Sequence, residues 1–124
     1  MSALEVGKKL VALCNAGRSE EAVEELYDEK IVSIEAQGSE EMPARMEGIE
    51  SIRRKGEWWF ANHDVHEMRA RGPFVGHRDD QFAVEFFLDV TNKPSGQRMQ
   101  MSEMGLYTVR NGKVVQEEFL YLNA

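Results

Sequence analysis

RMQMSEMGLYTVRNGKVVQEEFLYL, residues 98–122, is the stretch on which the fold turns. At its centre, Arg110-Asn111-Gly112-Lys113 is a hairpin signal, because Asn and Gly tolerate the positive φ that a tight turn between twisted strands demands. The flanking segments, Arg98 to Val109 and Val114 to Leu122, read as strands and are therefore antiparallel neighbours. Loop length decides which side chains share a face, and two arrangements are open: a tight two-residue turn, or a three-residue turn with a glycine bulge. The bulged form is preferred. It puts Met101, Glu103, Gly105 and Tyr107 on one face, across from Val115, Glu117, Phe119 and Tyr121.

Upstream of this hairpin the strand signals continue: Gln81 to Val90, closed by the turn Asn92 to Gly96, then Phe74 to Gly76 and Asp64 to Arg71, with a turn at Gly72-Pro73 between those two. The N-terminal half reads differently. From Leu4 to Ala16, the apolar residues Leu4, Val6, Leu10, Val11, Leu13 and Cys14 follow a helical stripe that Gly17 stops. Ser19 caps a second helix, with Glu20 and Glu21 in its first turn and Ala22, Val23, Leu26 and Tyr27 along one side; it ends near Asp28 or Glu29. Ile31 to Glu35 is a short β-branched strand, ended by the loop Gln37 to Ala44. Gly48 opens a third helix on which Ile49, Ile52, Trp59 and Phe60 share a face, leaving Arg53, Arg54 and Lys55 as a solvated cationic side. Helices first and a meander afterwards is the α+β order, with helices covering one face of a mostly antiparallel sheet; it excludes the alternation of parallel folds.

Composition sets the outer limits. With 124 residues, 42% hydrophobic and 30% charged, the chain suits one globular domain spanning 1–124, and no apolar run is long enough for a membrane span. The N-terminus has no basic segment leading into an apolar signal core, so a cytoplasmic location is expected. A net charge of −7 repels phosphate backbones and anionic lipid, which excludes nucleic acid and membrane as partners. The single cysteine, Cys14, has no partner for a disulfide and reads as helix packing. No nucleophile elbow, phosphate loop or dinucleotide fingerprint occurs, and no cofactor is expected.

Several patterns, in this order, resemble the nuclear transport factor two-like superfamily, and within it the ketosteroid isomerase and SnoaL-like proteins. They are Glu21-Ala22-Val23-Glu24-Glu25-Leu26-Tyr27 running into Asp28 and Ile31 to Glu35, then Gly48-Ile49-Glu50-Ser51-Ile52, Gly72-Pro73, Phe82-Ala83-Val84-Glu85-Phe86, and Tyr107 through Val114. The resemblance implies a cone-shaped SnoaL-like or cystatin-like roll, in which N-terminal helices and a strongly curved mixed sheet enclose an apolar cavity, commonly in a homodimer formed through the outer sheet face. It also implies three catalytic roles, which ketosteroid isomerase illustrates with a carboxylate base, a tyrosine and a protonated acid. The base belongs nine residues after the Leu of the Leu-Tyr pair, where Glu35 follows Leu26. The tyrosine belongs on the first helix, where this chain has Leu10 or Val11, and the acid falls at Gly105, with Glu103 one inward step away. A steroid isomerase oxyanion hole is therefore not reproduced.

Following the family's inward positions, the pocket receives His66, Met68, Phe82, Val84, Phe86, Glu103, Tyr107, Glu117, Phe119 and Tyr121, together with Glu35 and one of Trp58 and Trp59. Glu103 and Glu117 facing inward on neighbouring strands would repel and be desolvated, raising at least one pKa and holding a proton at neutral pH. His63-Asp64-Val65-His66-Glu67 has the residue types of a metal site, but on a strand His63 and His66 point to opposite faces, so no metal is expected. The functional expectation is an isomerase or dehydratase acting by proton transfer on a small apolar carbonyl compound, with Glu35 as base and His66, Glu103, Tyr107 or Glu117 as donors. The alternative is a non-catalytic dimeric module that binds a small molecule or a protein.

Overall fold

A computed structural model describes residues 1–40 and 42–121. Nine elements follow in order: α1 (Ala3–Asn15), α2 (Ser19–Leu26), β1 (Tyr27–Ile34), β2 (Arg45–Glu47), α3 (Ile49–Asn62), β3 (His63–Phe74), β4 (Gln81–Asn92), β5 (Arg98–Arg110) and β6 (Lys113–Tyr121). The six strands form one mixed sheet of order β2-β1-β6-β5-β4-β3, in which β1 and β6 run parallel and the other neighbours antiparallel. The three helices pack on it, giving the α+β architecture. None of the described helices is long and apolar enough to cross a membrane.

The core forms where α1 crosses the inner face. Ala3, Val6, Gly7, Leu10 and Cys14 recur at helical spacing and are buried, Ser2 and Glu5 make a capping box, and Asn15 is anchored to the backbone of Ala70 on β3 by two hydrogen bonds of 2.7 and 2.8 Å. Val6, Leu26, Ile31, Phe82, Val84 and Val114 are fully buried, each contributing about 1.5–3 kcal/mol of transfer free energy.

Several boundaries differ from the sequence expectation, each for a local reason. Ser19 is the first helical residue of α2 and does not cap it; Arg18 holds the cap position and pairs with Glu21. The helix ends at Leu26 because Tyr27 takes extended backbone angles and starts β1. The short β2 pairs with β1 inside a region that shows no period in the sequence. Gly72-Pro73 does not form a turn: β3 continues to Phe74, with the register shifting between Arg71 and Phe74. The expected end of the last strand at Leu122 lies outside the described residues.

The final hairpin departs from the preferred turn yet keeps the preferred facing from Glu117 onward; Val115, expected on that face, is passed over, and the buried Val114 takes the place opposite Val109. Asn111 and Gly112 both have positive φ, 53° and 76°, so the turn is the tight two-residue form, with Arg110 opposite Lys113 and Val109 opposite Val114. The extra residue is displaced into β6, because the next pair is Thr108 with Gln116 and Val115 is passed over. Without that bulge Tyr107 would face Gln116 and Glu117 would point outward; with it, Tyr107 faces Glu117, Gly105 faces Phe119 and Glu103 faces Tyr121.

Candidate active site

Between α2, α3 and the inner face of the sheet lies a cavity of about 610 Å³. Its apolar walls include Met68, Phe86, Leu88, Met101 and Phe119, while Trp58, Trp59 and Phe60 on α3 stand at its edge, Trp58 and Phe60 being exposed. Both tryptophans of the chain are thus on this cavity. His63 stacks on Trp59, with ring centroids 4.5 Å apart, and its Nδ1 lies 2.8 Å from the Trp59 carbonyl, so the ring buttresses the end of α3.

A hydrogen-bonded cluster occupies one wall. Glu117, 3% exposed, accepts from the Tyr27 hydroxyl and, at 2.7 Å, from the Ser33 hydroxyl. Lys55 donates to Ser33 Oγ at 2.6 Å and to Glu35 Oε1 at 3.1 Å, stands 3.5 Å from Glu117 Oε2, and lies 5.3 Å from the centroid of the Phe119 ring. Tyr121 donates to the other Glu35 oxygen at 3.2 Å. The chain order explains the convergence: Ile31 and Ser33 alternate onto the inner face of β1 and Glu35 follows at the same spacing just past its end, while Tyr27 is buried at the strand's first residue, ahead of the register shift between Tyr27 and Val32. The Lys55 and Glu35 side chains are only 18% and 26% exposed, so the ion pair is partly desolvated. Removing one partner of such a buried group leaves an uncompensated charge, at a cost of about 3–5 kcal/mol.

Protonation follows from these surroundings. Burial, with the Glu117 charge adding to it, raises the Tyr27 phenol far above its ordinary value, and the same two causes act on Tyr107. Both remain neutral. Burial also raises the Glu103 carboxyl; the Tyr121 hydroxyl and Lys55 oppose this, and the Glu35 and Glu117 charges add to it. Tyr121 is raised by burial and by the Glu103 and Glu35 carboxylates on either side of it. A single hydroxyl hydrogen cannot serve two carboxylates, so with Tyr121 donating to Glu35, Glu103 is the carboxyl suited to hold a proton. The Cys14 thiol on the cavity wall is pushed up to about 11, chiefly by burial, which makes it a poor nucleophile.

Of the residues expected in the pocket, Glu35, Trp58, Trp59, Met68, Phe86, Glu103, Tyr107, Glu117, Phe119 and Tyr121 line the cavity. Phe82 and Val84 do not: they are buried beneath α1, Phe82 stacked on Tyr107 at 4.9 Å between centroids. His66 is also absent. A bulge between Val65 and Glu67 breaks the alternation, leaving His66 exposed with Nε2 2.7 Å from Thr91 Oγ1. Glu103 and Glu117 lie opposite Tyr121 and Tyr107 across the strands and not opposite one another. Lys55, read as solvated, turns inward. Tyr27, Ser33 and Lys55 are the members of the cluster that the sequence did not announce. Among the described residues no group of three or more His, Cys, Asp or Glu is placed to hold a metal ion.

Comparison with known proteins places this geometry in context. The family model of the SnoaL-like domain matches residues 1–121. A protein from Mesorhizobium loti, provisionally named a SnoaL-like polyketide cyclase with carbohydrate phosphatase in brackets, has a crystal structure that superposes with a TM-score of 0.90 at 40% identity, covering 98% of this chain and 100% of that one. A provisionally named isomerase from Bacillus subtilis superposes at 0.72 with 21% identity, covering 97% and 86%. A protein of cystatin-like fold from Xanthomonas campestris superposes at 0.78 with 11% identity, covering 99% and 92%. These last two speak for the fold alone. No curated protein sequence matches the chain.

Proposed function

Because this chain belongs to the SnoaL-like domain family, we propose that it is a cofactor-free proton-transfer catalyst for a small apolar carbonyl compound, with Glu35 as the base. The observation that carries the reading is the position of the Glu35 carboxylate: it stands on the wall of an apolar cavity, held from one side by Lys55 and from the other by Tyr121. A base fixed by two donors is oriented, and partial removal from water sharpens its interaction with a bound molecule. Glu103, whose carboxyl burial raises beside Tyr121, is the acid of the same wall in this reading. Glu117, buried on the same wall, supports the site through the Tyr27 and Ser33 hydroxyls, and Tyr107 lies across the strands from it. Trp58, Trp59, Phe86 and Phe119 provide the apolar surface against which the ligand lies.

Loss of a proton next to a carbonyl is the opening step of isomerisation, of dehydration and of ring closure in a polyketone, so the reading accommodates the cyclase name of the Mesorhizobium loti relative. The test needs no knowledge of the natural substrate. Proton NMR in D2O follows exchange of the α-protons of small cyclic and aryl ketones. Protein-dependent exchange is expected, and Glu35→Gln reduces it by about 10²- to 10⁴-fold. Saturable quenching of Trp58 and Trp59 by the ketones without any exchange would favour the binding-module reading instead.

A further inference from the structure

We propose that Lys55 is the electrophile of this site: its ammonium gives up Glu35 and takes the carbonyl oxygen of the substrate as the proton moves to Glu35. The inference rests on the assignment of Glu35 as base and adds what stabilises the developing anion. Neither position that would supply a side-chain oxyanion donor by resemblance can do so, since the side chains of Leu10 and Val11 are apolar and Gly105 has none. Lys55 reaches the same wall from α3 instead.

Its hydrogen bonds show how the exchange works. An ammonium has three donors. One is used on Ser33, whose own hydrogen goes to Glu117; another is used on Glu35 at 3.1 Å; Glu117 is the most distant of the three partners at 3.5 Å. Glu117 has the Tyr27 and Ser33 hydroxyls as well, so it does not depend on Lys55 alone. When the C–H bond next to the carbonyl breaks, its electron pair forms the new C=C bond, the carbonyl π pair moves onto oxygen, and the proton bonds to a Glu35 oxygen. Glu35 becomes neutral, and the Lys55 N–H that faced it is released as the oxygen acquires charge. Before the step the ammonium faces two carboxylates; after it, one carboxylate and one enolate. The charge within the cavity is unchanged, so no new charge has to be desolvated. Return of the proton from Glu35 to carbon restores the starting pair.

The same arithmetic sets the substrate class. An uncharged ketone, aldehyde or ester keeps the balance, whereas a carboxylate or phosphate ester would bring a further negative charge with no free cation to meet it. Arg53, the other cation on the cavity wall, is engaged by Glu24 at 2.7 Å and by Glu50.

4-Nitrophenol tests this, because it can pass its proton to Glu35 and leave a coloured oxygen anion. Binding is followed by quenching of Trp58 and Trp59, and ionisation by the phenolate absorbance at a pH below that at which the free phenol ionises. The wild-type protein should bind it as phenolate. Lys55→Met should lower the bound phenolate fraction at least about tenfold, in the range of a lost oxyanion donor, while Lys55→Arg retains it. Because Lys55→Met leaves Glu117 buried without its cation, Lys55→Met/Glu117→Gln is compared with Glu117→Gln, and the double variant should hold at least about tenfold less phenolate than Glu117→Gln does. A wild-type protein that leaves nitrophenol unbound or uncoloured, or a phenolate fraction unchanged by Lys55→Met, overturns the assignment. In the ketone exchange assay Lys55→Met should lower kcat by about 10²- to 10³-fold with KM little changed. A slow Glu35→Gln beside an unimpaired Lys55→Met would remove Lys55 and leave the base in place; a fully active Glu35→Gln would remove the base itself.

Discussion

Glu103 and Asp89 show how single residues give the protein opposite pH limbs. Burial raises the Glu103 carboxyl, so between its ordinary range and its raised value the folded protein holds a proton that the unfolded chain releases. The folded state then binds more protons, and stability falls as pH rises through that window. Asp89 has the reverse sign. The Arg98 guanidinium, bonded to both carboxylate oxygens at 2.9 Å, holds it down to about 2, so its contribution is complete above the ordinary carboxylate value and is lost as pH falls through that range. Urea unfolding measured across pH should therefore show Glu103→Gln losing the decline that begins above the ordinary carboxylate range, with stability beyond that window equal to or above wild type. Asp89→Asn should lose part of the acid limb and be less stable at neutral pH. A Glu103→Gln profile parallel to wild type above the ordinary carboxylate range would mean that the folded protein does not raise this carboxyl, and would remove Glu103 as the acid of the site.

The β5–β6 hairpin decides which carboxylates enter the cavity, and its most exacting position is Gly105. A Cβ there would meet Tyr107 Cε2 at 2.7 Å and the Tyr107 hydroxyl at 3.0 Å, so the ring lies in the space that a side chain would take. Gly105→Ala should push Tyr107 off Phe82, with a loss of about 1–3 kcal/mol in urea unfolding and a changed near-ultraviolet circular dichroism signal from the tyrosine. The element order and the inward set were legible because alternation survives along β4 and β5, and the bulge at Val115 restored, from Glu117 onward, the facing that a bulged turn would have given. Where a bulge fell elsewhere, the reading failed: between Val65 and Glu67 it carried His66 out of the pocket. Tyr27, Ser33 and Lys55 were hidden for another reason, since each also fits an ordinary local role. Tyr27 extends a helical stripe, Ser33 sits in a β-branched run, and Lys55 closes a basic triplet. The signal that would have found Lys55 is helical spacing, because it lies three residues after the buried Ile52 and four before Trp59, on the face toward the cavity. Chemistry carried by backbone irregularity or by a side chain crossing between elements leaves little trace in local pattern.

For the whole molecule, the outer sheet face bears on assembly. Arg71 pairs with Glu85, Arg98 with Asp89, and Arg69 covers the Phe87 ring at 4.6 Å, so the β3–β4 side of that face is satisfied within the chain. The β5–β6 side is different: Met104 and Leu120 lie directly opposite one another, and Leu120 is 47% exposed. An apolar patch of this kind invites a self-complementary contact, in which each copy presents the same patch to the other. A homodimer through this face is our expectation, and sedimentation at about 10 µM tests it. The excess of seven negative charges on each copy opposes association, while burial of Met104 and Leu120 favours it. Raising salt screens the first and leaves the second, so the dimer fraction should grow between low and physiological ionic strength. Leu120→Glu places a carboxylate in the contact and should give a monomer that unfolds at a similar urea concentration, since Leu120 is already half in water. A wild-type protein that sediments as a monomer at both salt levels would remove this interface and leave each cavity to work alone.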